Sequence, residues 1–150
     1  MQKIILSTYL IFCVINLTAQ IKENFNMSGK VAIDGFDPVS YFEGKPVRGK
    51  EEFKYKYNGI YFWFKSEKNK QSFLSQPEKY IPAYGGWCAY AMGKNGDKVK
   101  IDPYTYKIID GRIYLFYNFD GNNTLLKWNK KESKLKEKAD RNWKELLNQQ

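Results

Sequence analysis

No histidine occurs anywhere in the 150 residues. That absence removes the Ser-His-Asp triad, the Cys-His dyad and every imidazole metal site together. It leaves thiol, thioether, carboxylate, amine, phenol and backbone groups as the sources of any chemistry. Cysteine is nearly as scarce, with Cys13 and Cys88 alone, and arginine is limited to Arg48, Arg112 and Arg141. Long apolar runs are missing too. The one sustained stretch, Ile4 to Leu17, has 14 residues, against the roughly 20 that a membrane-spanning helix needs.

That stretch follows a short positive start, Met1-Gln2-Lys3, and gives way to Leu17-Thr18-Ala19-Gln20. The layout is that of a secretory signal peptide cut after Ala19 or Gln20, with a retained membrane anchor as the competing reading. The expected organisation is therefore a signal peptide over 1–20 and a single domain over 21–150, exported to the periplasm or beyond. Cleavage takes Cys13 away and leaves Cys88 as a lone thiol. With no internal disulfide, an exported domain must rely on packing. Four Trp, twelve Tyr and ten Phe provide the large buried areas this requires.

The formal net charge is +9, or +8 once Lys3 is removed, and the isoelectric point is about 9.4. Such a balance suits nucleic acid, an anionic membrane surface or an acidic partner. Export speaks against nucleic acid, and none is expected as a partner. The lysines are interspersed with glutamates and densest in the last 25 residues, as in a solvated basic surface.

Along the chain, Val31-Ala32-Ile33 reads as a strand that stops at the turn chemistry of Asp34-Gly35-Phe36-Asp37-Pro38. Phe53 to Phe64 carries the clearest hairpin signal, because Asn58-Gly59 suits a two-residue type I′ turn. Folding about it pairs Tyr57 with Ile60, Tyr55 with Phe62 and Phe53 with Phe64, so that six apolar residues share one face and Lys54 and Lys56 take the other. Ser66 caps a helix that runs to Pro77, with Glu67 in its first turn and Phe73 and Leu74 as anchors. Gly85-Gly86 precedes a short helix holding Cys88, which Gly93 is expected to end. A second hairpin about Asp110-Gly111 places Tyr106, Ile108, Ile113, Leu115 and Tyr117 on one face. After Asp120-Gly121-Asn122-Asn123-Thr124, an amphipathic helix with Leu135, Ala139, Trp143, Leu146 and Leu147 on its stripe runs to the end. Two hairpins without a βαβ alternation predict an α+β fold: a small, mainly antiparallel sheet built from the two hairpins, packed with two short helices and a C-terminal amphipathic helix.

Several of these runs together resemble the YHS domain family, in particular its exported bacterial branch. The runs are Gly35-Phe36-Asp37-Pro38-Val39-Ser40-Tyr41-Phe42, Tyr57-Asn58-Gly59 with Tyr61, Phe62, Phe64 and Ser66, then Phe73 with Pro77-Glu78-Lys79-Tyr80. Tyr84-Gly85-Gly86-Trp87-Cys88-Ala89, Asp102-Pro103, Ile113-Tyr114-Leu115, Ala139-Asp140 and Asn142-Trp143 complete the order. The resemblance implies metal handling, since related domains occur beside copper-transporting ATPases. It points to metal-handling or redox proteins of the cell envelope as partners. Metal-associated relatives tend to have a Cys after the strand phenylalanine and a Cys or His three to four residues later. Here Lys65 and Asn69 hold those places, neither a good soft ligand, and the metal inference shifts to Cys88.

Cys88 at a helix start lies near unpaired backbone N–H groups and the positive dipole end, which favour a thiolate. Against this, Tyr84, Cys88, Ala91 and Met92 also make a plain i, i+4, i+7, i+8 core stripe. Met92, one turn on, offers a thioether that with Cys88 suits a soft ion such as Cu(I). Asp37, with Asp34 and Asp102, offers carboxylate, though aspartate beside Gly or Pro is commonly a turn former. Gly85 and Gly86 permit close approach of a ligand, and Tyr84, Trp87 and Tyr41 are candidates to wall a pocket around the sulfur. The expected function is a small binding module with a single thiol site for a soft metal ion or reversible redox chemistry. The alternatives are a thiol-dependent redox enzyme and a basic protein-interaction domain without site chemistry.

Overall fold

Residues 23–149 are described by a computed structural model of the chain; the expected signal peptide over 1–20 lies outside them. Near the start, β1 (Met27–Ser28) turns through Gly29, at φ 64°, into β2 (Val31–Ala32). β3 (Lys50–Tyr57) and β4 (Ile60–Phe64) form the first hairpin. Asn58 at φ 47° and Gly59 at φ 80° supply the two left-handed residues its tight turn requires. The four strands lie in the order β1-β2-β4-β3, antiparallel except where β2 meets β4.

Tyr57 faces Ile60 and Tyr55 faces Phe62, but Phe64 lies opposite Lys50 and not Phe53, because the register shifts between Lys50 and Tyr55. The cause lies at Gly49, where a β-carbon would stand 2.5 Å from the Trp63 carbonyl carbon. With that side chain absent, the start of β3 closes directly onto the end of β4, and the surplus residues bulge. The expected six-residue apolar face is split accordingly. Ile60, Phe62 and Phe64 are buried, whereas Tyr55, on the edge strand β3, is 38% exposed.

Ser66 accepts a hydrogen bond from the Asn69 N–H at 3.2 Å and starts α1 (Glu67–Ser75), and Pro77 then opens α2 (Pro77–Tyr80). Proline suits that first position, where no N–H is needed. Phe73 of α1 is completely buried, with its ring 5.0 Å from Phe62, 5.1 Å from Phe64 and 5.7 Å from Tyr57. It fastens helix to sheet.

α3 (Ala89–Asn95) is followed by β5 (Asp102–Ile109) and β6 (Arg112–Phe116), joined at Asp110 and Gly111 with φ 50° and 73°. β7 (Asn118–Phe119) and β8 (Asn122–Asn123) make a further, very short hairpin. The class is α+β with antiparallel hairpins, but the two long hairpins occupy separate sheets. The burial pattern explains why. Ile113 and Leu115 enter one core with Tyr41, Phe62 and Phe73, while Tyr114 and Phe116 enter a second with Trp128, Met92 and Leu135. β6 is thus a wall between two cores, buried on both faces.

The expected C-terminal amphipathic helix forms as α5 (Glu132–Asn148), with Leu135 and Ala139 buried, but a separate helix, α4 (Thr124–Asn129), precedes it, and the two part at Lys131, whose φ is −147°. Gly93 does not end α3. That role belongs to Gly96, at φ 80°, while Gly93 packs against α5 where a β-carbon would lie 2.4 Å from the Leu135 carbonyl oxygen. Its missing side chain sets how closely the helices cross.

Candidate functional site

Cys88 immediately precedes α3, and its backbone is tied on both sides. Its N–H donates to the Val99 carbonyl at 3.0 Å, and its carbonyl accepts from the Met92 N–H at 3.0 Å. It also bridges in parallel to Leu115 of β6. The side chain is fully buried and gives no capping bond to the seven-residue α3. The sulfur turns inward instead, accepting from the Tyr117 N–H at 3.4 Å and lying 3.4 Å from the Thr124 hydroxyl. The amide that reaches the sulfur thus lies just past the end of β6, 29 residues away, and not in α3.

The Thr124 hydroxyl donates to the Tyr117 carbonyl at 2.8 Å, which leaves its oxygen free to accept the Cys88 S–H. The thiol then gives one hydrogen bond and receives another, so it is a satisfied buried group. Beside it lies a cleft of about 250 Å³, whose wall includes Cys88, Tyr90, Ala91, Val99, Tyr117 and Thr124. Lys94, Asn95, Asp97 and Asn122 add its polar lining.

The residues expected to surround the sulfur are employed elsewhere, and none of Tyr41, Tyr84, Gly85, Gly86 or Trp87 lines this cleft. Tyr84 (φ 54°), Gly85 (φ 59°) and Gly86 (φ 80°) form a left-handed run. What approaches the glycines is the chain's own N-terminal segment. Asn26 N–H donates to the Gly85 carbonyl at 2.8 Å, Asn26 Nδ2 to the Gly86 carbonyl at 3.0 Å, and Trp87 Nε1 to the Asn24 carbonyl at 2.6 Å. A β-carbon on Gly85 would stand 2.8 Å from the Trp143 ring. The Tyr41 hydroxyl donates to the Pro103 carbonyl at 2.9 Å, and the Tyr84 hydroxyl to Asp140 at 2.9 Å. Burial pushes both phenols up, Tyr84 further through its Asp140 partner. Both stay neutral donors.

Asp37 is also placed away from Cys88's polar partners, in a knot of its own. Its carboxylate accepts from Val39 N–H at 2.8 Å, Lys65 N–H at 2.9 Å and Asn69 Nδ2 at 2.7 Å, and it has no exposed surface. Burial pushes the carboxyl above its ordinary value of 3.8, against the opposing pull of these hydrogen bonds. Lys65, through its backbone N–H, and Asn69, through its side-chain amide, thus serve to hold this carboxylate. Met92 packs in the second core while Cys88 belongs to the first. Asp102 accepts from Tyr104 N–H at 3.0 Å and Thr105 Oγ1 at 2.7 Å, the arrangement of a turn former. Among the described residues no three His, Cys, Asp or Glu side chains gather as a metal group.

The partners of Cys88 were not among the sequence candidates. Tyr117 acts through its backbone, and Thr124 lies 36 positions away with no periodic relation to the cysteine. The one available signal is that Asn123 caps α4 by accepting from Leu125 N–H at 3.0 Å, which fixes where Thr124 begins its helix.

In comparison with known proteins, residues 38–84 match the family model of the YHS domain. That stretch runs through both strands of the first hairpin, α1 and α2, and includes the Asp37-binding Lys65 and Asn69. It ends four residues before Cys88. No curated protein and no solved structure matches the chain.

Proposed function

We propose that the chain is an exported YHS-type binding module with a single thiol site at Cys88, where one thiophilic species at a time meets the sulfur. The supporting observation is a buried thiol with two polar partners beside a cleft of about 250 Å³. Two species have the required chemistry, a soft metal ion such as Cu(I) and a small oxidant. The donor set separates them. Soft ions favour sulfur ligands, and the cleft offers one, its remaining polar groups being the oxygen and nitrogen of residues such as Asp97 and Asn95. Met92 and Asp37 are committed elsewhere, so these residues do not fit a closed Cu(I) centre, and a metal would rest on Cys88 and on ligands it carried in.

Reversible oxidation needs one sulfur only. A peroxide ROOH loses its O–O bond, the sulfur gains OH as a sulfenic acid, and ROH departs. An external thiol then displaces water to form a mixed disulfide, and a second thiol releases Cys88 with a new disulfide as product. The test is treatment of the folded full chain with hydrogen peroxide and a sulfenic-acid trap, beside Cu(I) titration against a competing chelator. Each is run on wild type and Cys88→Ser, with peptide mapping to separate Cys88 from Cys13. Trapped adduct or Cu(I) uptake that depends on Cys88 is the expected result. Identical behaviour of the two proteins in both assays removes Cys88 from function.

A further inference from the structure

Beside the Cys88 cleft, with which it shares Tyr90 and Lys94, a second groove is lined by six lysines. Lys94 of α3, Lys127 of α4, Lys130 and Lys131 at the elbow, and Lys134 and Lys138 of α5 line a cleft of about 440 Å³. Its remaining lining is uncharged, made by Tyr90, Gly93 and Leu135. None of the six lysines forms an ion pair among the described residues. Among the described residues, Lys127 alone of the six has a side-chain hydrogen-bond partner, the neutral Asn122 Oδ1 at 2.6 Å.

Carboxylates are present on the same helix but are turned to other groups. Glu132 meets Lys107 and Trp128 Nε1, Glu137 meets Arg141, and Asp140 meets Lys136 and Tyr84. Like charges collected around one concavity repel. The fold leaves that repulsion uncompensated here while compensating lysines nearby.

We propose that this groove binds a small organic molecule carrying at least two phosphate groups. Lysine ammonium groups are compact point charges that suit phosphate oxygens. Six of them distributed around a rim exceed what one monoanion can use. The volume falls within the range of roughly 300–1,000 Å³ typical of small-molecule sites, and a concave site does not fit the flat surface of a bilayer. The uncharged floor, with the Tyr90 ring and Leu135, gives an organic body something to cover that a bare inorganic chain would leave unfilled. The groove shares Tyr90 and Lys94 with the Cys88 cleft, but the assignment does not rest on the chemistry of Cys88.

Calorimetric titration of the full chain with ATP and with tripolyphosphate tests the assignment, with phosphatidylglycerol vesicles as a separate arm. One ATP should bind per chain. Lys130→Gln/Lys134→Gln should weaken binding at least tenfold, whereas Lys45→Gln/Lys68→Gln, which removes the same charge from exposed positions outside the groove, should change it less than twofold. Weaker binding of tripolyphosphate than of ATP supports the organic body, and equal or tighter binding overturns that part. Absence of saturable ATP binding, equal loss in both double variants, or vesicle binding without ATP binding overturns the site.

Discussion

Gly93→Ala adds one methyl group at the place where α3 crosses α5, and its consequence can be worked from the geometry. The new β-carbon would stand 2.4 Å from the Leu135 carbonyl oxygen, 3.1 Å from its carbonyl carbon and 3.3 Å from its α-carbon. All three are backbone atoms of a helix, so no side chain can swing aside. Reaching an ordinary contact of 3.4 Å requires the helices to separate by about 1 Å. That movement strains the 2.7 Å bond from Asn142 Nδ2 to the Met92 carbonyl and loosens the core shared by Met92, Leu135 and Ala139. Overpacking of this kind costs about 1–3 kcal/mol, with contacts against backbone at the upper end. Alanine recovers about 1 kcal/mol of helix propensity. The net loss is about 2 kcal/mol, or roughly 8 °C in Tm for a domain of this size. Urea denaturation followed by circular dichroism measures it directly. A neutral or stabilised Gly93→Ala would show that propensity prevails and that the helices do not cross this closely.

Phe73→Ala should cost about 4 kcal/mol in the same assay, the range for a fully buried phenylalanine, because its ring touches three rings of the first hairpin; a loss below about 1 kcal/mol would contradict its place at the helix–sheet junction. For Asp37, burial raises the folded carboxyl above 3.8, so the folded state holds its proton to higher pH than the unfolded state does. The stability from that proton is complete below the unfolded value and declines as pH rises through the raised folded one. Denaturation from about pH 4 to about pH 7 should therefore show wild type losing more stability than Asp37→Asn, and parallel profiles would refute the assignment.

Local chemistry made part of the fold legible. Asn58-Gly59 and Asp110-Gly111 announce turns with two left-handed residues, and both hairpins form there. Asp120-Gly121 carries the same signal, with φ 52° and 73°, but its strands are two residues long and offer no alternation to read. Ser66 as a cap was legible because the bond that proves it spans three residues. The Gly93 crossing was not, since nothing near position 93 encodes Leu135. Gly85-Gly86 did signal close approach, yet the approaching group is the chain's own Asn24–Asn26 segment, and a glycine pair does not say what it admits. The split of the expected single sheet follows from β6 being apolar on both faces: Ile113-Tyr114-Leu115-Phe116 is an unbroken run that belongs between two cores. The lysine groove draws on three helices and reads in sequence only as abundant charge. Cys88 stood out as a lone thiol at a helix start, but its partners Tyr117 and Thr124 are set by tertiary contact.

Whether the folded protein presents Cys88 to the cleft is measured by the rate at which iodoacetamide labels it across a urea series, read at the Cys88 peptide. Access from the cleft predicts labelling of the native chain at a rate proportional to reagent and flat in urea until the unfolding midpoint. A sulfur sealed in the core, reached only by global unfolding, would be slowed by roughly 10³-fold or more relative to the denatured chain. Its labelling would rise with urea along the full unfolding slope, and that result would leave Cys88 a packing residue.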